Sequence, residues 1–362
     1  MVPAPPRPHP DRTLHWLALT RVENVGSIRA QALVERFDDP RLIFRASRSE
    51  LLEVPHLVPQ VVERILEGPD LAWARDQLEQ AESIGAAVVA LDDPDIPENL
   101  RRIPSPPPVL FVQGELPLRG ERSVAVVGTR SPTPVGLSGT HRLCAAWASQ
   151  GIRVVSGLAL GIDSQAHRSA LSVGGETVAV LGCPLDGMES GARAVLAQEI
   201  ARKGLLVTEY PFGMSVQTPN FVRRNRIISG LSDAVVVAEA PRGSGALITA
   251  RHALDQDRDL LACPGPSGEP SFDGCFDLLR QGAHLCADPS DLIDVAGWSA
   301  MAPDLPGSDS PVARLLRRGD LTAEEISLRL KTSLPSILAE MVVLELSGVV
   351  RRAAGGRWTV RP

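Results

Sequence analysis

Residues 123–136 read SVAVVGTRSPTPVG: an unbroken apolar run that ends in Gly128, Thr129 and Arg130 before Pro134 opens a helical pattern. A strand without polar alternation is one buried on both sheet faces, and proline suits a first helical turn because the nitrogen there needs no partner. The same unit recurs along the chain. AAVVAL (86–91), VLFV (109–112), RVVSG (153–157), TVAVLG (177–182), LLVTEY (205–210), AVVVAEA (234–240) and LLACPG (260–265) are each trailed by an amphipathic segment. Such strands joined by helical crossovers predict an α/β domain over residues 83–300, built on a doubly wound, Rossmann-like parallel sheet.

Two proline-rich stretches bracket this domain, IPSPPP (103–108) near its start and APDLPGSDSP (302–311) at its end. Residues 1–82 carry short helical patterns, including SIRAQALVERF and VPQVVERILEG. The turn VENVGS places Gly26 between two of them with Ser27 as the expected N-cap, and VPHLVP takes the equivalent place before the last. This is the pattern of a helical, helix-hairpin-helix or SAM-like domain. Its turns either hold a DNA phosphate on helix N-termini or simply close a small bundle. Residues 301–310 are the expected linker. Residues 311–362 give three helical patterns and VVRRAAGGRWTV, a hairpin turning at Gly355 and Gly356, which together predict a winged helix. Thr322 with Glu325 three positions on marks a capping box. In such a domain the third helix reads a groove and Arg351, Arg352 and Arg357 meet phosphate, unless the domain holds a protein partner or only packs.

The 362 residues carry 37 Lys+Arg against 43 Asp+Glu, a net charge of −6, and exceed what one hydrophobic core usually supports. The charge is uneven: −3 over residues 1–82, −7 over 83–310 and +4 over 311–362. Two cations are lysines, Lys203 and Lys331, and neither stands in G-x-x-x-x-G-K-[ST], which excludes a P-loop ATPase. No apolar run approaches a membrane span and MVPAPPRPHPDR has no signal core, so a soluble chain is expected. Cys144, Cys183, Cys263, Cys275 and Cys286 form no C-x-x-C pair and fit buried, reduced thiols of a cytoplasmic protein.

In an open parallel sheet the ligand lies outside the carboxyl ends of the strands, and here those ends are rich in anion-binding groups. Gly128 allows close approach, Thr129 offers a hydroxyl and Arg130 can fork onto phosphate. Ser156, Gly157 and Gly161 form a loop feeding a helix, and Ser244 and Gly245 precede another. Asp163 and His167, four apart, are expected to brace loop and helix rather than hold a metal. In TPNFVRRNRIISGLSD, Arg223, Arg224 and Arg226 surround Asn225 beside Phe221. Cations with an aromatic platform are what single-stranded nucleic acid requires, charge for the backbone and a π-face for the bases. One of the three arginines is expected to be structural, paired with Asp233 or Glu239. Glu239 itself is the one carboxylate placed for catalysis.

The ordered set VAVVGTRSPTPVG, VVSGLALGIDSQAH, TVAVLG, LLVTEYPFG, FVRRNRIISGLSDAVVVAEA, GSGALITARHALDQDRDLLACPG and DGCFDLLRQGAHL resembles the DNA-processing protein A family (DprA, also called Smf) over residues 86–295. The resemblance implies a non-enzymatic, homodimeric recombination mediator of natural transformation, with no cofactor or metal. Its implied partners are single-stranded DNA, single-strand-binding protein and the RecA recombinase. Carried over by motif, the DNA would meet Gly128, Thr129, Arg130, Phe221, Arg224, Asn225, Arg226, Ser244 and Gly245. Phe276, Leu279 and Leu285 would lie at the dimer surface, unless Leu279 belongs to the core. Two departures stand out: CPLDGMESGARAV replaces the usual Gly-x-Asp run, and Thr218 stands where the family often has a basic residue.

Two other readings stay open on the residues. A Rossmann-like phosphoribohydrolase acting on nucleoside monophosphates would use Glu239 with PRGSGALIT, although its Pro-Gly-Gly signature is missing. Dinucleotide binding is disfavoured because the first strand ends in GTRSPTPVG, not G-x-G-x-x-G.

Overall fold

The computed structural model describes residues 10–115, 117–118, 120–188, 191–298, 310–316, 320–330, 332–346, 349–353 and 356–360. It divides into two compact units, Met1–Trp298 and Ser299–Pro362.

Among the described residues the first unit is organised by one sheet of nine strands: β1 (Ala86–Ala90), β2 (Val109–Gly114), β3 (Ser123–Gly128), β4 (Arg153–Ser156), β5 (Thr177–Val180), β6 (Leu205–Thr208), β7 (Ala234–Glu239), β8 (Asp259–Ala262) and β9 (His284–Leu285). Their spatial order is β1-β2-β6-β5-β4-β3-β7-β8-β9. The chain winds from β3 outward to β6, then returns to place β7 against the other side of β3. That reversal is the switch point at which a doubly wound sheet opens a crevice.

Two features depart from the sequence expectation. From β6 to β9 the sheet is parallel, but β2 runs antiparallel to both its neighbours. The connection from β1 to β2 holds only the four-residue helix Glu98–Arg101 and the proline run, so the chain turns back and Ala90 pairs with Val109. Apolar composition does not encode strand direction. The short β9 has no apolar run, and its two residues are exposed at the sheet edge.

Side chains alternate between two covered faces, as the period of a strand demands. Val124, Val126, Val154, Val236 and Leu261 pack with Leu143, Trp147, Ala166 and Ala170 from the helices Pro134–Ser149 and Ile162–Ser172. Ala125, Val127, Val155, Val235 and Val237 face the other way, toward Ile227, Ile228, Ala250 and Phe272. That second core continues into the N-terminal helices through Trp16, Leu33 and Ile65. Trp16 Nε1 donates to Asp92 Oδ1 at 2.7 Å, and Phe212 N donates to Gln77 Oε1 at 2.8 Å, so polar bonds join the helices to the sheet as well. Ser27 does not cap its helix. Gly26 is the N-cap, and the Ser27 hydroxyl instead accepts from Arg226 Nη2 at 3.1 Å.

The second unit packs the helices Pro311–Leu316, Ala323–Leu330 and Leu334–Leu346 against the antiparallel pair β10 (Val350–Arg352) and β11 (Trp358–Val360). Val312, Ile326, Ile337, Met341 and Trp358 form its core. The capping box is present: Glu325 N donates to Thr322 Oγ1 and Thr322 N to Glu325 Oε2. The linker residues 301–309 and Gly355 of the hairpin turn lie outside the described residues.

Candidate nucleic-acid interface

At the carboxyl ends of β3 and β7 the crevice takes the form of a groove of about 350 Å³. Gly128, Arg130, Phe221, Arg224, Asn225, Ser244 and Gly245 all line it, together with Thr218. On the other side of Phe221 a smaller recess of about 70 Å³ takes in Gly157 and again Arg130 and Arg224. Segments separated by more than a hundred residues of sequence thus converge on one surface.

The loop carrying Arg130 is fixed at both ends. Thr129 N donates to the Glu239 carbonyl at 2.7 Å, and Ile162 N donates to the Thr129 carbonyl at 3.2 Å. Gly161 turns there with φ +83°, a conformation that favours glycine, and any side chain would strike the Thr129 carbonyl. Thr129 and Gly161 therefore build the loop. Arg130 projects from it, exposed and without an ion pair among the described residues.

Ser156 does not reach the groove. Its hydroxyl is fully buried and donates to the Val126 carbonyl at 2.6 Å, because the last residue of β4 points into the sheet layer.

Two of the three clustered arginines are structural, and neither uses the carboxylates expected from sequence. Arg224 is 4% exposed, donates to the carbonyls of Gly157 and Val180, bonds Asn225 Oδ1 at 3.0 Å and lies 3.9 Å from Asp163. A side chain at Gly157 would collide with its guanidinium. Burial pushes the Asp163 carboxyl up and Arg224 down, each opposed by the other's charge. Asp163 also accepts from Gly157 N at 3.2 Å, so it braces loop and helix as expected, while His167 bonds Thr177 instead. Arg226 pairs with Glu209 and donates to the Ser105 carbonyl. Asp233 is occupied by Ser123 N and Asn99, both at 2.8 Å. Arg223 is exposed and forms no ion pair among the described residues.

Phe221 is partly exposed, its ring held so close to Gly182 that a Cβ there would stand 2.6 Å from Cδ1. Ser244 and Gly245 head the ten-residue helix Ala246–Asp255, whose first turn opens on the groove and favours anions. Glu239 turns inward. Fully buried, it accepts from Thr133 N at 3.0 Å and from Thr133 Oγ1 at 3.1 Å, so its carboxylate closes a loop and does not face the crevice. That removes the residue on which the phosphoribohydrolase reading depended.

Arg193, which the sequence did not single out, lines the smaller recess with Arg130 and Arg224. It stands at the second position of the helix Ala192–Lys203, after the atypical CPLDGMESG segment. An arginine opening the helix after a strand end was the available signal.

All five cysteines are buried and unpaired. No described helix is long and apolar enough to cross a membrane.

Residues 87–297 match the model of the DNA recombination-mediator protein A family. The chain belongs to this family. It is 38% identical over 287 residues to Protein Smf of Synechocystis, covering 78% of this chain and 72% of that protein. It is 36% identical to Protein Smf of Escherichia coli, covering 74% of this chain and 76% of that one. Among solved structures, DNA processing protein A of Streptococcus pneumoniae superposes with a TM-score of 0.69 at 30% identity, over 78% of this chain and 97% of that one. DNA processing protein A of Helicobacter pylori, described for its single-stranded DNA binding mode, gives 0.52 at 31% identity over 58% and 94%. The span matched to the recombination-mediator family runs from β1 to β9 and contains every residue of the groove.

Proposed function

We propose that the groove at the switch point binds single-stranded DNA and that the chain acts as a recombination mediator, protecting DNA taken up by natural transformation and loading the RecA recombinase onto it. The observation that carries this reading is the convergence of an unpaired Arg130, the Phe221 ring and the Ser244–Gly245 helix start on one groove of an acidic body. Charge holds the backbone, the ring stacks bases, and the loop fixed at both ends presents Arg130 without reorganisation. The Helicobacter pylori relative, by its description a single-stranded DNA binder, supports the same reading.

On this reading the protein works in the cytoplasm as a homodimer, without catalysis, on DNA shared with single-strand-binding protein. Leu285, 51% exposed on the edge strand β9, and the half-buried Phe276 and Leu279 on the helix Asp273–Arg280 form the dimer face. Phe276 and Leu279 also pack on the core, so Leu285 carries the cleaner test.

Oligo-dT binding measured across a salt series tests the proposal. Arg130→Ala is expected to weaken single-strand binding about tenfold without altering thermal stability, and to lower the salt slope by about 0.7, the value for one lost phosphate contact on a single strand. Binding unchanged in Arg130→Ala would sink the site assignment. Leu285→Glu should sediment as a monomer and lose RecA loading on strands coated with single-strand-binding protein.

A further inference from the structure

A cavity larger than the groove lies elsewhere in the first unit. It is a cleft of about 1080 Å³ between the N-terminal helices and the sheet, lined by Arg21, Ser27 and Trp73 on one side and by Tyr210, Arg223 and Arg226 on the other. Resting on the reading that DNA occupies the groove, we infer that this cleft is a second station on the path of the same single strand.

Groove and cleft are separated by a thin ridge. Val222 lines both. Its neighbours split between them, Phe221 and Arg224 to the groove, Arg223 and Arg226 to the cleft. The helix Ala246–Asp255 divides likewise, Ala246 and Thr249 to the groove, Ile248 and His252 to the cleft. A strand leaving Phe221 crosses one exposed side chain to enter the cleft.

The cleft has the chemistry of a nucleotide site. Among the described residues its lining holds three arginines against a single carboxylate, Glu209, which Arg226 neutralises. Arg21 and Arg223 form no ion pair among the described residues, which leaves two cations for phosphate. Arg21 lies 5.5 Å from the centre of the Trp73 ring. A guanidinium plane backed by indole is a platform on which a base stacks, with no demand on base identity. A peptide partner would draw on the same aromatics but gives no reason for unpaired arginines at both walls.

Equilibrium binding of oligo-dT of about six and about twenty nucleotides separates this inference from the one it rests on, since the short strand fills one station and only the long one spans both. The full chain is compared with Arg21→Glu, Trp73→Ala and Arg130→Ala. Arg21 is exposed, so its replacement leaves folding intact even if loss of the half-buried Trp73 does not. Both cleft variants are expected to hold the short oligonucleotide within about twofold and to lose about tenfold on the long one, whereas Arg130→Ala loses both. Long-oligonucleotide binding unchanged in Arg21→Glu, with Arg130→Ala impaired, overturns the cleft and leaves the groove standing. The same result with RecA loading lost would assign the cleft to a protein partner instead. Loss confined to the cleft variants, with Arg130→Ala silent, overturns the shared path and the groove together.

Discussion

Arg224 and Asp163 lie 3.9 Å apart with almost no access to water, where removing one partner of an ion pair leaves the other charge stranded. Losses of about 3–5 kcal/mol are usual for that event. Arg224→Ala is therefore expected to lower the melting temperature sharply, and any DNA-binding defect it shows follows from a damaged loop; a melting curve matching the parent would contradict this. His167 lies in the same buried layer. The Thr177 hydroxyl donates to the Val154 carbonyl at 2.9 Å, so His167 Nδ1 carries the proton and donates to Thr177 at 2.7 Å, leaving Nε2 without a partner among the described residues. Burial, then the charges of Arg224 and Arg168, push its pKa from 6.5 down to about 3. The folded pKa is depressed, so below pH 6.5 the unfolded chain takes up a proton that the folded chain refuses. Stability from the neutral ring is complete above that pH and falls as the pH drops toward about 3, by about 2 kcal/mol at pH 5. Melting temperatures measured between pH 7 and pH 5 should fall less steeply in His167→Asn than in the parent, whatever the offset between them. An equal slope would mean that the histidine is not buried neutral.

Between β3 and the helix Pro134–Ser149, a short loop decides where Arg130 stands. Thr133 caps the helix by accepting from Gly136 N at 3.1 Å while its own N–H and hydroxyl go to Glu239 at the end of β7. The register between β3 and β7 shifts at Gly128, which faces Glu239, so loop, helix and neighbouring strand are tied at one point. Thr133→Ala should cost about 1–2 kcal/mol as a lost cap and lower single-strand affinity several-fold by loosening Arg130; Thr133→Ser should restore both in chemical melts and oligo-dT titrations. At this scale local chemistry was legible in the strands and in the Thr322 cap, but not at Ser27, whose hydroxyl goes to Arg226 while Gly26 caps the helix. The apolar runs located β1 to β8, and Pro134 located the start of a helix. Strand direction was not legible for β2, because direction is set by how the intervening chain packs. Nor was the aim of a polar side chain near a strand end: Glu239 and Ser156, the last residues of β7 and β4, turn inward, whereas Arg130, two residues beyond β3, turns out. The groove was legible as a set of residues, but the split within RRNR into a buried brace, an ion-paired anchor and a free cation required the tertiary contacts of Gly157, Glu209 and Asp163.

Across the whole chain, the net charge of −6 conceals two kinds of arginine, those neutralised by carboxylates and those left for phosphate. The distinction matters most for the second unit, whose sequence is +4 and suggests attraction to DNA. Arg352 lies 3.7 Å from Glu345 and 5.0 Å from the Trp358 ring centre, and Arg357 lies 3.6 Å from Glu325. The helix Leu334–Leu346 carries Glu340 and Glu345 and no cation, and shows Leu338 (45% exposed) and Val342 (49% exposed) to solvent. A helix reading a major groove draws much of its affinity from cations near phosphate, and this one carries none. Arg130, Arg21 and Arg223 of the first unit, which form no ion pair among the described residues, line the groove and the cleft. Each unit has its own hydrophobic core, so a chain ending at Trp298 is expected to fold alone. That shortened chain should bind oligo-dT within about twofold of the full chain and with the same salt slope, because the slope counts the phosphates neutralised. A slope reduced by two or more of the roughly 0.7 steps that each single-strand phosphate contributes would place those contacts in the second unit and refute the assignment of the DNA to the sheet crevice alone.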